Sequence, residues 1–165
     1  MKSIKHIMMA AFVTLGVFSA VLYTSCGKDA CKDVTCKNGG TCSGGNCTCP
    51  TGYEGTDCGT LSRAKFVGVY PGTESCTIGT DSYSITLAAA SNDLMLTYTN
   101  LYNQAITATC NMVATDSFTF SGSQAVGAGN VIFSGSGRLV TNTLTVHYTV
   151  NDGVTTNSCV FTGTK

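Results

Sequence analysis

Between residues 31 and 58 the chain places six cysteines and almost nothing that could build a hydrophobic core. The segment reads Cys31-KDVT-Cys36-KNGGT-Cys42-SGGN-Cys47-T-Cys49-PTGYEGTD-Cys58. Apart from cysteine, its sizeable apolar side chains are Val34 and Tyr53. Ordering a backbone costs roughly 1–2 kcal/mol per residue, and so little burial cannot offset it. Such a segment folds only if covalent links restrict its unfolded state. Spacing alone does not choose among the pairings that six cysteines allow. With ten cysteines in 165 residues, the chain belongs in an oxidising compartment. A zinc site is not expected, because the segment lacks histidine and paired Cys-x-x-Cys spacing.

An export signal fits that compartment. Lys2 and Lys5 precede an apolar stretch, 7–22, broken only by Thr14, Gly16 and Ser19. Those 16 residues reach about 24 Å as a helix, short of the roughly 20 residues that span a bilayer. Residues 1–25 are therefore read as a signal peptide. The stretch ends Leu22-Tyr23-Thr24-Ser25-Cys26, which resembles the lipobox of bacterial lipoproteins, with Tyr23 where that family prefers leucine. The resemblance implies that Cys26 becomes the first mature residue and carries lipid. Each buried CH₂ of its acyl chains would add about 0.8 kcal/mol of membrane anchorage. Residues 26–30 would then be anchor and tether. Lys28-Asp29, close behind, resembles the surface-sorting signal of Bacteroidota lipoproteins. The expected location is the outer membrane, with exposure at the cell surface as the finer expectation.

The six-cysteine run resembles an EGF-like module. Cys47-x-Cys49-x-x-Gly52-Tyr53 with Gly55 and Cys58 fits that family's C-terminal signature. The resemblance implies the pairs Cys31–Cys42, Cys36–Cys47 and Cys49–Cys58. It places Tyr53 against the minor hairpin. The acidic and amide cluster of the calcium-binding members is missing, because Lys28-Asp29-Ala30 precedes Cys31, so no calcium is expected. Residues 59–63 read as a linker.

Residues 64–165 have another texture: Gly, Ser, Thr and Asn are abundant, charges stand singly, and apolar residues alternate. Leu144, Val146, Tyr148 and Val150 share one face, and Thr143, Thr145, His147 and Thr149 the other. Similar sets are Phe66/Gly68/Tyr70, Tyr83/Ile85/Leu87, Leu94/Leu96/Tyr98, Ile106/Ala108/Cys110/Met112 and Phe118/Phe120. Turn signals fall at Pro71-Gly72, Ser91-Asn92-Asp93, Tyr102-Asn103, Thr115-Asp116, Ala128-Gly129-Asn130, Thr141-Asn142 and Asn151-Asp152-Gly153. The pattern predicts a mainly β fold, an antiparallel barrel or sandwich. Ala64-Lys65-Phe66-Val67-Gly68-Val69-Tyr70 resembles the first strand of lipocalin-like barrels, with Tyr70 in place of the usual tryptophan. Thr73-Glu74-Ser75-Cys76 and a late cysteine, Cys159, resemble the C-terminal module of small Bacteroidota lipoproteins. A Cys76–Cys159 bridge is expected between neighbouring strands of a barrel. Cys110 is read as a buried thiol that behaves as a small hydrophobe.

Catalytic chemistry is poorly represented. Nine basic and nine acidic residues cancel, and only 11% of the chain is charged, so no basic surface for nucleic acid is expected. His147 falls on the threonine-rich face. Ser134-Gly135-Ser136-Gly137 reads as strand or turn rather than as a nucleophile elbow. No phosphate loop, dinucleotide fingerprint or paired carboxylates stand out, and no cofactor is expected. The expected function is a lipid-anchored envelope module that binds a protein or a small apolar ligand. The alternatives are a structural accessory subunit and, more distantly, a hydrolase.

Overall fold

A computed structural model describes residues 30–165. The signal, Cys26 and Lys28-Asp29 lie outside the described residues. The cysteine-rich segment forms a hairpin of β1 (Thr41–Ser43) and β2 (Asn46–Thr48), then β3 (Tyr53–Glu54). Three bridges hold it: Cys31–Cys42, Cys36–Cys47 and Cys49–Cys58.

Residues 59–63, which connect the cysteine-rich segment to the barrel, carry local structure of their own. Thr60–Leu61 form β4, which pairs with β3, and a 3₁₀ turn covers Ser62–Phe66. This hairpin turns the chain straight onto the next domain. Ser62 N–H donates to the Gly52 carbonyl at 2.8 Å. Lys65 pairs with Glu54 at 2.6 Å. Arg63 Nη1 donates to the carbonyls of Ala90 (2.7 Å) and Met95 (3.2 Å), and its Nη2 donates to Asp93 at 2.8 Å. Leu94 packs on Gly52, whose φ of +88° and bare Cα leave no room for a side chain.

Eight strands follow: β5 (Gly68–Cys76), β6 (Gly79–Ala89), β7 (Met95–Leu101), β8 (Ile106–Ala114), β9 (Ser117–Val126), β10 (Gly129–Val140), β11 (Thr143–Asn151) and β12 (Thr156–Thr164). Each pairs antiparallel with its neighbour in sequence, and β12 pairs with β5, which closes a barrel and excludes a sandwich. Closure leaves no open edge.

The alternating sets point inward. Leu144, Val146, Tyr148 and Val150 are buried, as are Ile85, Leu87, Leu96, Tyr98, Ile106, Ala108, Cys110, Met112, Phe118 and Phe120. Leu101, Val131, Phe133, Leu139 and Phe161 complete the core. Each large side chain contributes roughly 1.5–3 kcal/mol by leaving water. The outer wall is threonine and serine with scattered valines. This polarity is opposite to that of a membrane-spanning barrel, which turns its apolar band outward. Among the described residues, no helix is long and apolar enough to cross a membrane.

Three expectations need correction. Ala64-Lys65-Phe66 is 3₁₀ turn, although Phe66 is still buried. Pro71-Gly72 is not a turn. It lies inside β5, with the ladder to β12 beginning only at Gly72, so Pro71 sits where β5 pairs on one side alone. The turn falls later, at Thr77-Ile78. Leu94 is part exposed, in the β6–β7 turn against Gly52, rather than inside the barrel.

A candidate site at the open end of the barrel

The two ends of the barrel differ. One is capped by the 3₁₀ turn and the cysteine-rich segment. There the Tyr70 hydroxyl donates to the Phe66 carbonyl at 2.8 Å, and Lys165 Nζ sits 5.4 Å from the Tyr70 ring centre. Above this base Phe66, Phe118, Phe120, Phe133, Tyr98 and Tyr148 fill the interior with ring centroids 5.6–6.4 Å apart. The other end is made by the β5–β6, β7–β8, β9–β10 and β11–β12 turns. It opens on a cleft of about 350 Å³ lined by Glu74, Ile78, Asp81, Tyr102, Asn103 and Gln104. A second lobe of about 240 Å³ shares Tyr102 and Gln104 and is lined by Val126, Val131, Val150, Asp152 and Asn157.

Glu74 is the chemical centre of this end. The period of two on β5 turns Gly72, Glu74 and Cys76 inward, and Glu74 is only 4% exposed. A buried carboxylate needs donors. Tyr83 Oη donates to Glu74 Oε1 at 2.5 Å, and Tyr148 Oη donates to the same oxygen. Oε2 receives no hydrogen bond from a described residue. Burial, and secondarily the charge of Asp81, push the Glu74 carboxyl above the usual range. Asp81 sits directly opposite on β6. Burial and the Glu74 carboxylate likewise push the Tyr83 hydroxyl up, so it stays a donor at neutral pH. Tyr98 is fully buried, and its hydroxyl has no hydrogen-bond partner among the described residues.

The rim carries local strain. Asn100, Tyr102, Asn103 and Ala105 all have φ between 51° and 69°, uncommon for residues with a side chain. Asn100 Oδ1 accepts from the Ala105 N–H, and Asn103 Nδ2 donates to Asp81 Oδ2 at 2.8 Å. Asn157 Nδ2 donates to Tyr102 Oη at 3.1 Å, a crossbar between the two lobes.

Of the residues singled out by sequence, Cys76 lines the first cleft, while Cys110 and His147 fall elsewhere. Cys76 and Cys159 stand opposite each other on β5 and β12 and are bridged, next to Glu74 but not part of its hydrogen bonding. Their sulfurs and Glu74 cluster closely, yet a disulfide offers no thiolate to a metal. Cys110 is a free thiol inside the barrel, its pKa pushed up to about 12 by burial. His147 is exposed on the outer wall between Ser136 and Val160, and no carboxylate lines the grooves it borders. Sequence reading met Glu74 only inside a resemblance motif and gave it no role. The available signal was its parity: an acid at an inward position of a strand, between Gly72 and Cys76.

No protein-family model matches this chain. No curated protein matches it either. Among solved structures it is similar to a crystal structure, at 2.40 Å, of a Bacteroides fragilis protein provisionally described as an outer membrane protein. The likeness has a TM-score of 0.41 at 12% identity and covers 63% of this chain. The chain spans about half the length of that protein, 52%.

Proposed function

We propose that this is an exported, lipid-anchored envelope protein whose barrel binds a small ligand at its open end. The cysteine-rich segment would be an EGF-like spacer. It joins the barrel at the opposite end, which would hold the binding end away from a membrane-anchored Cys26. The observation that carries the binding reading is Glu74: a buried carboxyl gripped by two tyrosines beneath an open cleft. Such a group lowers the stability of a closed barrel and fits a site better than a scaffold. A lipocalin-like mode, with a roomy apolar interior, has less support, because aromatic rings occupy the lower barrel. Nothing in the grooves beside His147 favours hydrolysis.

Two measurements test this. Cys26→Ser should move the protein from the membrane to the soluble fraction. Amide spectra of the chain titrated with a small-molecule extract of the producing cell should shift at Glu74, Asp81 and Tyr102, and not at Glu54 or Lys65. Shifts confined to the outer wall or the cysteine-rich segment would contradict the binding reading.

A further inference from the structure

The described cations are distributed unevenly. Lys32 and Lys37 lie in the cysteine-rich segment. Arg63, Lys65, Arg138 and Lys165 all lie at the barrel end next to it, and three of them are paired, with Asp93, Glu54 and Asp116. The open end holds Glu74, Asp81 and Asp152, none of which pairs with a described cation. Two of the three, Glu74 and Asp81, face each other across adjacent strands. Like charges directly opposite in a sheet repel, and burial of one strengthens the repulsion. Among the described residues, this end is an acidic funnel with no counter-charge.

We propose that the open end binds a small protonated amine with an apolar body. Its ammonium group would be held by Glu74 Oε2 and Asp81, and its body by the valine-lined lobe. The inference rests on the binding reading above and names its ligand class. An ammonium group brings N–H donors to Glu74 Oε2, which receives none from a described residue. The Tyr98 hydroxyl, fully buried and in the electrostatic field of Glu74, also lacks a hydrogen-bond partner among the described residues. Val126, Val131 and Val150 supply an apolar wall beside Tyr102. Anions are excluded by the charge. A neutral polyol would leave two facing carboxylates uncompensated. A divalent metal fits poorly, because it needs about six or more oxygen ligands, and Tyr83 and Tyr148 already occupy Glu74 Oε1 while Asn103 Nδ2 occupies Asp81 Oδ2.

The test is a titration of the full oxidised chain at neutral pH, read by amide shifts at the open end and by calorimetry. The probes are phenethylamine and hexylamine, the matched phenethyl alcohol and hydrocinnamate, and calcium alone. Both amines should bind saturably, with shifts at Glu74, Asp81 and Val131, and the alcohol and the acid should not. Glu74→Gln should weaken amine binding by about tenfold or more. Asp81→Asn, an exposed change that keeps the fold, should weaken it severalfold. If the alcohol, the acid or calcium binds there as well as the amines do, the amine assignment is wrong and the binding site stands. If no probe shifts the open end, the amine assignment is wrong, and the extract titration above then decides whether the binding reading falls with it.

Discussion

Glu74 sets the energetic terms of this molecule at the scale of single residues. Its carboxyl holds its proton more tightly in the folded barrel than in the open chain, because burial and Asp81 disfavour the charge. A group with a raised folded pKa adds stability below its unfolded pKa, and that stability is lost as pH rises through the folded value. The groups facing it are Asp81 and the hydroxyls of Tyr83, Tyr148 and Tyr98, with no lysine, arginine or histidine among them. Glu74→Gln should therefore be more stable than the parent at neutral pH, and the difference should shrink as pH falls into the ordinary glutamate range. Urea unfolding across that range checks it, and a variant less stable at neutral pH contradicts it. Exposed Asp57, Asp116 and Asp152 are held below the usual range by their hydrogen bonds, so they act at lower pH and cancel in the comparison. Cys110 makes a second residue-scale test. With its thiol buried and its pKa near 12, it should resist iodoacetamide in the folded protein and react on denaturation. Alkylation at native rates would show that the barrel opens there.

At the scale of elements, β9 and β10 pair rings with glycines. Phe118 faces Gly137, Phe120 faces Gly135, and Gly122 faces Phe133. A Cβ on Gly122 would come within 2.9 Å of the Phe133 ring, and on Gly137 it would overlap the Phe118 ring. In these three pairs the ring lies over its partner's Cα, so the partner must be bare. Gly137→Val should destabilise the barrel by about 1–3 kcal/mol, seen as a lower urea midpoint at unchanged slope. An unchanged midpoint would mean that the ring has room to move. This ladder shows where sequence reading worked and where it stopped. β11 is legible because large apolar residues alternate with threonine. β10 is not, because its inward residues include Gly135 and Gly137, which carry no hydrophobic signal until the rings from β9 lie over them. Pro71-Gly72 misleads for a related reason: two turn-formers are tolerated inside a strand when one lacks a neighbour and the other lies under Phe161.

At the scale of the whole molecule, covalent closure matches hydrogen-bonded closure. Cys76–Cys159 joins β5 to β12, the first and last strands of the barrel, across 83 residues of chain. A loop of that length implies about 4–5 kcal/mol of stabilisation through the unfolded state. Cys76→Ser with Cys159→Ser should lose much of it, read as a lower melting temperature. An unchanged melting temperature would show that strand pairing alone closes the barrel. The class of fold and a bridged, nearly coreless first segment were legible from cysteine content and alternation. The site was not. Glu74, Asp81 and Tyr83 share the β5–β6 hairpin, but Tyr98 comes from β7 and Tyr148 from β11, and only the closed register brings Tyr148 to Glu74. Native mass spectrometry of the parent and of Glu74→Gln, each taken gently from the membrane of the producing cell, tests the central claim most directly. The account predicts a small retained adduct on the parent and none on the variant. Identical masses, apart from the substitution, would contradict it.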